Sequence, residues 1–225
     1  MDKFYSLIIE SGLWQSFLSG LLVTIKISAL SVLFGSLLGA GLCRARTCRI
    51  GFLRGIAALY IALIRGIPPL MLLMMMFYVI FKKSEPETIA VITFSLNFSA
   101  YFAELMRSAL GATDKGQAEA ALTAGFTRLQ VFRLITLPQA ARIAKPVYES
   151  TIINLIQWTS VVGYVTITDL TRVINTASAR TMEPVLMICT GMALYLAMAY
   201  IVKGIFVLTD RIGGKRSVRI SLKQI

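Results

Sequence analysis

Histidine is absent from the 225 residues, and the three cysteines, Cys43, Cys48 and Cys189, share no metal-ligating spacing. No Gly-x-x-x-x-Gly-Lys-Ser/Thr loop occurs, so ATP hydrolysis is not expected on this chain. Asn97, Tyr101, Glu104 and Ser108 recur at i, i+4, i+7 and i+11, which is one face of a helix. Arg107 lies three residues beyond Glu104, at ion-pairing distance on a helix surface. A second set, Ser150, Thr151, Asn154, Gln157, Thr159 and Ser160, follows another helical face. Stripes of this kind within apolar helices either border a bundle interior or water path, or form a hydrogen-bonded structural seam. With one or two acids at depth and no nucleophile–base constellation, a membrane-embedded enzyme is not expected.

The elements that must hold these residues span a membrane. Hydrophobic residues make up 56% of the chain and the mean hydropathy is +0.74. Several runs approach the roughly 20 residues that cross a bilayer as a helix. The reading is all-α, a single transmembrane domain over residues 1–225, with spans near 17–42, 56–81, 86–111, 146–165 and 182–208. Residues 2–16 read as a short helix lying on the membrane, and Asp2 and Glu10 argue against a cleavable signal. Lys26 sits where it can snorkel to the headgroups. Ser84 and Glu87 have capping-box spacing at the start of the third helix, and Ile167, Leu170, Val173 and Ile174 give the connection 166–183 some helical periodicity.

Within the second span, Arg65-Gly66-Ile67-Pro68-Pro69 must break or kink the helix, because two prolines remove two backbone donors. The methionine-rich run 70–76 beyond it suits either a moving neighbour or lipid. The net charge of +12 would suggest nucleic acid in a soluble protein. Here the basic residues instead follow the topology: Arg44, Arg46, Arg49 and Arg54, the 107–145 region and the tail lie inside, outnumbering those outside three to one. The N-terminus is therefore expected outside and the C-terminus inside, with lipid as the surrounding medium and no nucleic acid.

Residues 114–138 lie between the third and fourth spans and read as two short helices. Asp114 with Gln117, and Thr127 with Gln130, have capping-box spacing. Gly125 falls where a left-handed residue ends the first helix. Leu137 before Pro138 is expected to be extended and to close the second. Ala118, Ala120, Ala121 and Ala124 surround one acid, Glu119, giving a small-residue surface that another protein can approach. An ordinary loop has the same local features.

Glu119-Ala120-Ala121, three residues, Gly125, nine residues, Ile135, one residue, then Leu137-Pro138 resembles the signature of ABC importer permeases position for position. The resemblance narrows to the polar amino acid uptake permeases of the histidine, glutamine, arginine and opine type. Arg65-Gly66-Ile67-Pro68-Pro69-Leu70 is similar to their Arg-Gly-Thr-Pro-Leu pattern. Ala100-Tyr101-Phe102-Ala103-Glu104 with Arg107, Gly116-Gln117, Leu137-Pro138-Gln139-Ala140, Thr159-Ser160 and Asp169-Leu170-Thr171 follow the family order.

The resemblance covers roughly residues 15–211 and implies the type I importer permease fold of a bacterial cytoplasmic membrane. It further implies that Gln117, Glu119, Ala120, Ala121, Gly125, Phe126, Leu137 and Pro138 form a coupling segment docked on ABC ATPase subunits. ATP and Mg would be held there and no cofactor here. A second permease subunit, identical or homologous, and a periplasmic or lipid-anchored binding protein are the other implied partners. Asn97, Tyr101, Glu104, Thr151, Asn154 and Gln157 become candidates for the substrate pathway. Where the family usually reads Asn-Glu and Lys-Asp, this chain has Ser150-Thr151 and Gln157-Trp158, and Val161 replaces its usual Leu, so the fourth span lacks an acid to pair with a cationic cargo. A channel working without ATP is the alternative, and it leaves the hinged two-helix segment unexplained.

Overall fold

The computed structural model describes the backbone of residues 12–221 and the side chains of residues 12–210. The interfacial helix expected at 2–16 falls largely outside the described residues. Those that are described, from Leu13, already belong to a 35-residue helix, α1 (Leu13–Thr47). Next come α2 (Gly51–Gly66), α3 (Pro69–Met75) with a π-helical turn at Met76–Ile80, and α4 (Pro86–Gly111). The middle holds α5 (Lys115–Thr123), α6 (Arg128–Val131), a second π-helical turn at Phe132–Thr136, and α7 (Leu137–Trp158) running into a 3₁₀ segment at Thr159–Val165. The chain ends in α8 (Leu170–Thr181) and α9 (Pro184–Ser221). No strand occurs among the described residues.

Two compact units emerge. In the first, Val23–Ile167, α4 is the central element. Its most apolar 18-residue window is 56% buried, against 28% for α1. Ile27, Leu73, Ala90, Phe94, Phe98, Leu155 and Val162 form its core. Close approach of α1 to α4 depends on two glycines one turn apart. A Cβ on Gly35 would meet the Ser95 carbonyl oxygen at 2.9 Å, and one on Gly39 would meet that of Ser99 at 2.8 Å. The Tyr60 hydroxyl on α2 donates to the Leu96 carbonyl at 3.0 Å, and the ring of Tyr148 on α7 packs edge-on to Phe98 and Phe102. In the second unit, the described residues from Thr168 onward group with those from Gly12 to Leu22. Leu170, Val173, Ile174 and Ala177 are buried, so the periodicity expected there is a real helix. Asp169 caps it, accepting from the backbone N–H groups of Thr171 (3.1 Å) and Arg172 (3.0 Å).

The break at the two prolines is sharp: α2 and the α3 segment meet at 105°. Ile67 and Pro68, each preceding a proline, are both extended (ψ 130° and 135°), as the clash with the following ring requires. The methionine run divides, with Leu72, Leu73 and Met76 buried and Met71 and Met75 exposed. The helix read at 86–111 runs from Pro86 to Gly111, but its capping box does not form. Glu85 is the N-cap, Pro86 needs no acceptor, and Glu87 instead accepts an ion pair from Lys26 at 2.7 Å. Lys26 is thus paired rather than simply snorkelling. The fourth helix starts at Leu137, not near Pro146, which lies inside it. The last starts at Pro184 rather than Met182, because Met182 (φ 56°) is left-handed and ends α8. By length and composition, α1, α4 and Pro184–Asp210 of α9 can each cross a membrane, and the bent α2–α3 pair makes a fourth.

Candidate functional site

The segment from Asp114 to Pro138 is built by its caps. Asp114 Oδ1 accepts from the N–H of Gly116 (2.8 Å) and, at 3.4 Å, of Gln117. The reciprocal half of that box is missing. The Asp114 N–H instead donates to Oε1 of Gln139 (3.2 Å), whose Nε2 donates to Oε1 of Gln117 (2.7 Å). Gln139 therefore clamps the start of α5 to the start of α7, over a separation that no spacing rule could reveal. At the other end of α5, Gly125 has φ +90°, the Phe126 N–H reaches the Ala121 carbonyl (3.1 Å) and the Gly125 N–H that of Leu122 (3.1 Å). This is a Schellman ending, in which the glycine's freedom at positive φ sets the hinge. The Thr127–Gln130 box forms in both directions.

Leu137 departs from the expected extended conformation. It is helical (φ −65°, ψ −44°), and α6 runs through the π-helical turn into α7 without a break. The physical reason is the widened turn: the Leu137 N–H bonds to the Phe132 carbonyl five residues back, which takes up the register that Pro138 cannot serve. Nothing on α5 is buried. Glu119 and Ala120 are exposed, Ala118 and Ala121 half-buried, and Leu122, Phe126, Leu129 and Leu134 are open. The expected alanine surface is thus only half presented, and larger apolar side chains supply the rest.

On α4, the polar face separates into distinct environments. Asn97 is 1% exposed and neither atom of its amide has a partner among the described residues. Tyr101 is half-buried, packed at a 46° tilt against Trp158 (centroids 5.2 Å apart) and covered by the Arg65 guanidinium 5.1 Å from its centroid. Glu104 takes two hydrogen bonds from Arg107, Nη2 at 2.6 Å and Nε at 3.0 Å, the i, i+3 pair expected. On α7, Asn154 and Gln157 are exposed, whereas Thr151 is buried and bonds its own helix at the Val147 carbonyl (2.7 Å). Thr151 is therefore closed off by packing where Asn154 and Gln157 stay open. The grouping of Arg65, Tyr101 and Trp158 was not visible in the sequence, since it unites three separate helices. Among the described residues no group of His, Cys, Asp or Glu could hold a metal ion.

An all-helical membrane protein with a broken helix, a polar-faced central helix and an exposed, capped two-helix segment is the architecture of a transporter subunit. The chain belongs to the family described as binding-protein-dependent transport system inner membrane component, which matches residues 31–214. It is 33% identical over 184 residues to an L-cystine transport system permease protein of Bacillus subtilis, covering 80% of this chain and 79% of the relative. It is 32% identical over 216 residues to an octopine transport system permease protein of Rhizobium radiobacter, covering 88% and 87%. Among solved structures, an amino acid ABC transporter crystallised with histidines superposes at a TM-score of 0.82 with 28% identity, covering 92% of this chain and 97% of that one. The inward-facing MetNI methionine ABC transporter shares the fold at a TM-score of 0.74 with 21% identity. The chain is accordingly a multi-pass permease subunit of an ABC importer.

Proposed function

We propose that the cargo is a polar amino acid or a close relative, delivered by a periplasmic or lipid-anchored binding protein and driven by ATP on partner subunits. The observation that carries this reading is the α5–α6 pair. It is capped at both helix starts, hinged at Gly125, without a buried residue on α5, and lined by exposed Leu122, Phe126 and Leu129. Apolar side chains open to water on so small an element need a protein partner, and an ATPase subunit is the partner the family uses. Gln117, Glu119, Ala120, Ala121, Gly125 and Phe126 form the docking surface, with Leu137 and Pro138 joining it to α7. The chain crosses the bacterial cytoplasmic membrane five times, with α7 and its 3₁₀ extension as the span that is too polar to be recognised alone, the N-terminus outside and the α5–α6 pair inside.

Two such subunits, identical or homologous, enclose the path, because the exposed Asn154 and Gln157 leave the polar face of α7 unpartnered in a single chain. Asn97, Tyr101, Glu104 and Thr151 complete the candidate lining. ATP binding favours one arrangement of the docked pairs, and the permease follows between its inward- and outward-open states. Glu119→Lys, which reverses the charge on the docking surface, is expected to abolish coupling in proteoliposomes. ATP hydrolysis still stimulated by loaded binding protein, with transport intact, would overturn the assignment.

A further inference from the structure

Arg65 is the exposed end of a broken helix. It lies eleven residues beyond Arg54 on α2, about 16 Å along the axis, which is roughly half the thickness of a bilayer's hydrocarbon core. A cation at that depth is costly unless protein or water satisfies it, and it marks function more often than packing. Its surroundings are unusual. The guanidinium lies over the face of Tyr101, 5.1 Å from the centroid, and Tyr101 in turn packs at a tilt against Trp158. No carboxylate among the described residues is within ion-pair distance of it. The nearest acid on that face of α4, Glu104, is held by Arg107 in a two-pronged pair. An aromatic ring fixes the plane of a guanidinium but leaves its edge N–H groups free. Those donors match a carboxylate in two parallel hydrogen bonds.

We propose that Arg65 receives the carboxylate of the cargo, with Tyr101 and Trp158 as the wall that holds its plane and faces the rest of the molecule. The site takes a free carboxylate on a molecule whose side chain has no positive charge. A cationic side chain would be repelled by Arg65 and would find Glu104, which also feels the Arg65 charge, already held by Arg107. The proposal rests on the importer reading above and narrows its cargo. The break at Gly66–Pro69 is what makes the site possible, since a continuous helix would carry its polar groups along its own axis instead of turning them, through 105°, away from α2.

The test uses the assembled permease–ATPase complex, purified without its binding protein and carrying Trp14→Phe, so that Trp158 is this chain's one tryptophan. Trp158 fluorescence is titrated with L-glutamine, L-cystine and L-arginine and with the α-amide of each. Glutamine or cystine should saturate the signal, with its amide at least tenfold weaker and arginine at least tenfold weaker. Arg65→Gln should erase the difference between acid and amide. If that variant does not assemble, Arg65→Lys decides: the acid should weaken at least threefold while the amide is unchanged. Discrimination surviving Arg65→Gln, equal weakening of acid and amide in Arg65→Lys, or arginine binding as well as glutamine and cystine would overturn the proposal. Silence from all six ligands, with ATP hydrolysis still stimulated by loaded binding protein, would sink the site and leave the importer reading standing. Failure to co-purify with an ATPase would sink that reading itself.

Discussion

Two residues show how differently a buried polar group can be treated. Asp169 is fully buried as the N-cap of α8, and burial pushes its carboxyl above the usual carboxylate range, against the opposing pull of the Arg172 and Thr171 N–H groups. A folded-state value above the unfolded one means that the folded chain binds the proton more tightly. The stability this group contributes is therefore greatest at low pH and is lost as pH rises from the unfolded carboxylate value through the raised folded one. Asp169→Asn keeps a capping oxygen without the charge, so its melting temperature relative to wild type should improve between pH 4 and pH 7.5. Asp169→Ala should lose about 1 kcal/mol at pH 4 and less at pH 7.5, where wild type itself has lost the contribution of the protonated carboxyl. Asn97 is the opposite case, with no partner for either atom of its amide among the described residues. Leaving such a group buried costs about 1–3 kcal/mol. Asn97→Ala should therefore melt within about 1 kcal/mol of wild type while uptake falls. A much larger loss of stability would show that the amide finds a partner in the assembled transporter.

At the scale of elements, the contact between α1 and α4 gives a sharp contrast. Gly39→Leu would drive a side chain into the Ser99 carbonyl and Phe102, whereas Gly41, two residues on, has nothing within 4 Å of its Cβ position. The first substitution should cost on the order of 3 kcal/mol or prevent folding, and Gly41→Leu should be near neutral in the same melting assay. At Met182, exposed and left-handed, Gly should stabilise by about 1 kcal/mol, because a Cβ is strained at φ 56°. Local signals read well from the sequence wherever their cause was local. The proline break, the Thr127–Gln130 box, the Gly125 hinge and the Glu104–Arg107 pair all arise within a few residues. What misled was competition from afar. Glu87 left its expected cap for Lys26, sixty-one positions away, and Gln117 turned to Gln139 rather than to its own helix start. Leu137 stayed helical because a π-helical turn can accommodate a proline, a choice that the dipeptide alone does not disclose.

For the molecule as a whole, exposure divides the helices by the company they keep. The apolar window of α9 is only 17% buried, and Val185, Ile188, Met192, Leu196 and Tyr200 are exposed along it. Such a surface belongs in lipid or against another subunit, and in water it would drive aggregation. By contrast α7, which exposes Ser150, Asn154 and Gln157, is not among the helices long and apolar enough to cross a membrane by composition alone. Cross-linking through cysteines placed at Asn154 and Gln157 should join two permease subunits in membranes. Efficient labelling of both by a lipid-soluble reagent, with no cross-linked species, would put that face in the bilayer instead.

The uninterrupted run from Arg128 through the π-helical turn to Trp158 has a mechanical meaning. At 1.5 Å per residue it is a rod of about 45 Å, with Pro146 somewhat past its middle. A rod pivoting there by about 10° would sweep each end through roughly 4 Å, in opposite directions. Its near end is α6 itself, half of the α5–α6 pair proposed to dock, and its far end holds Trp158 against Tyr101. A stroke at one would thus be felt at the other as leverage, with the wide turn at Phe132–Thr136 as the joint where slack can be taken up.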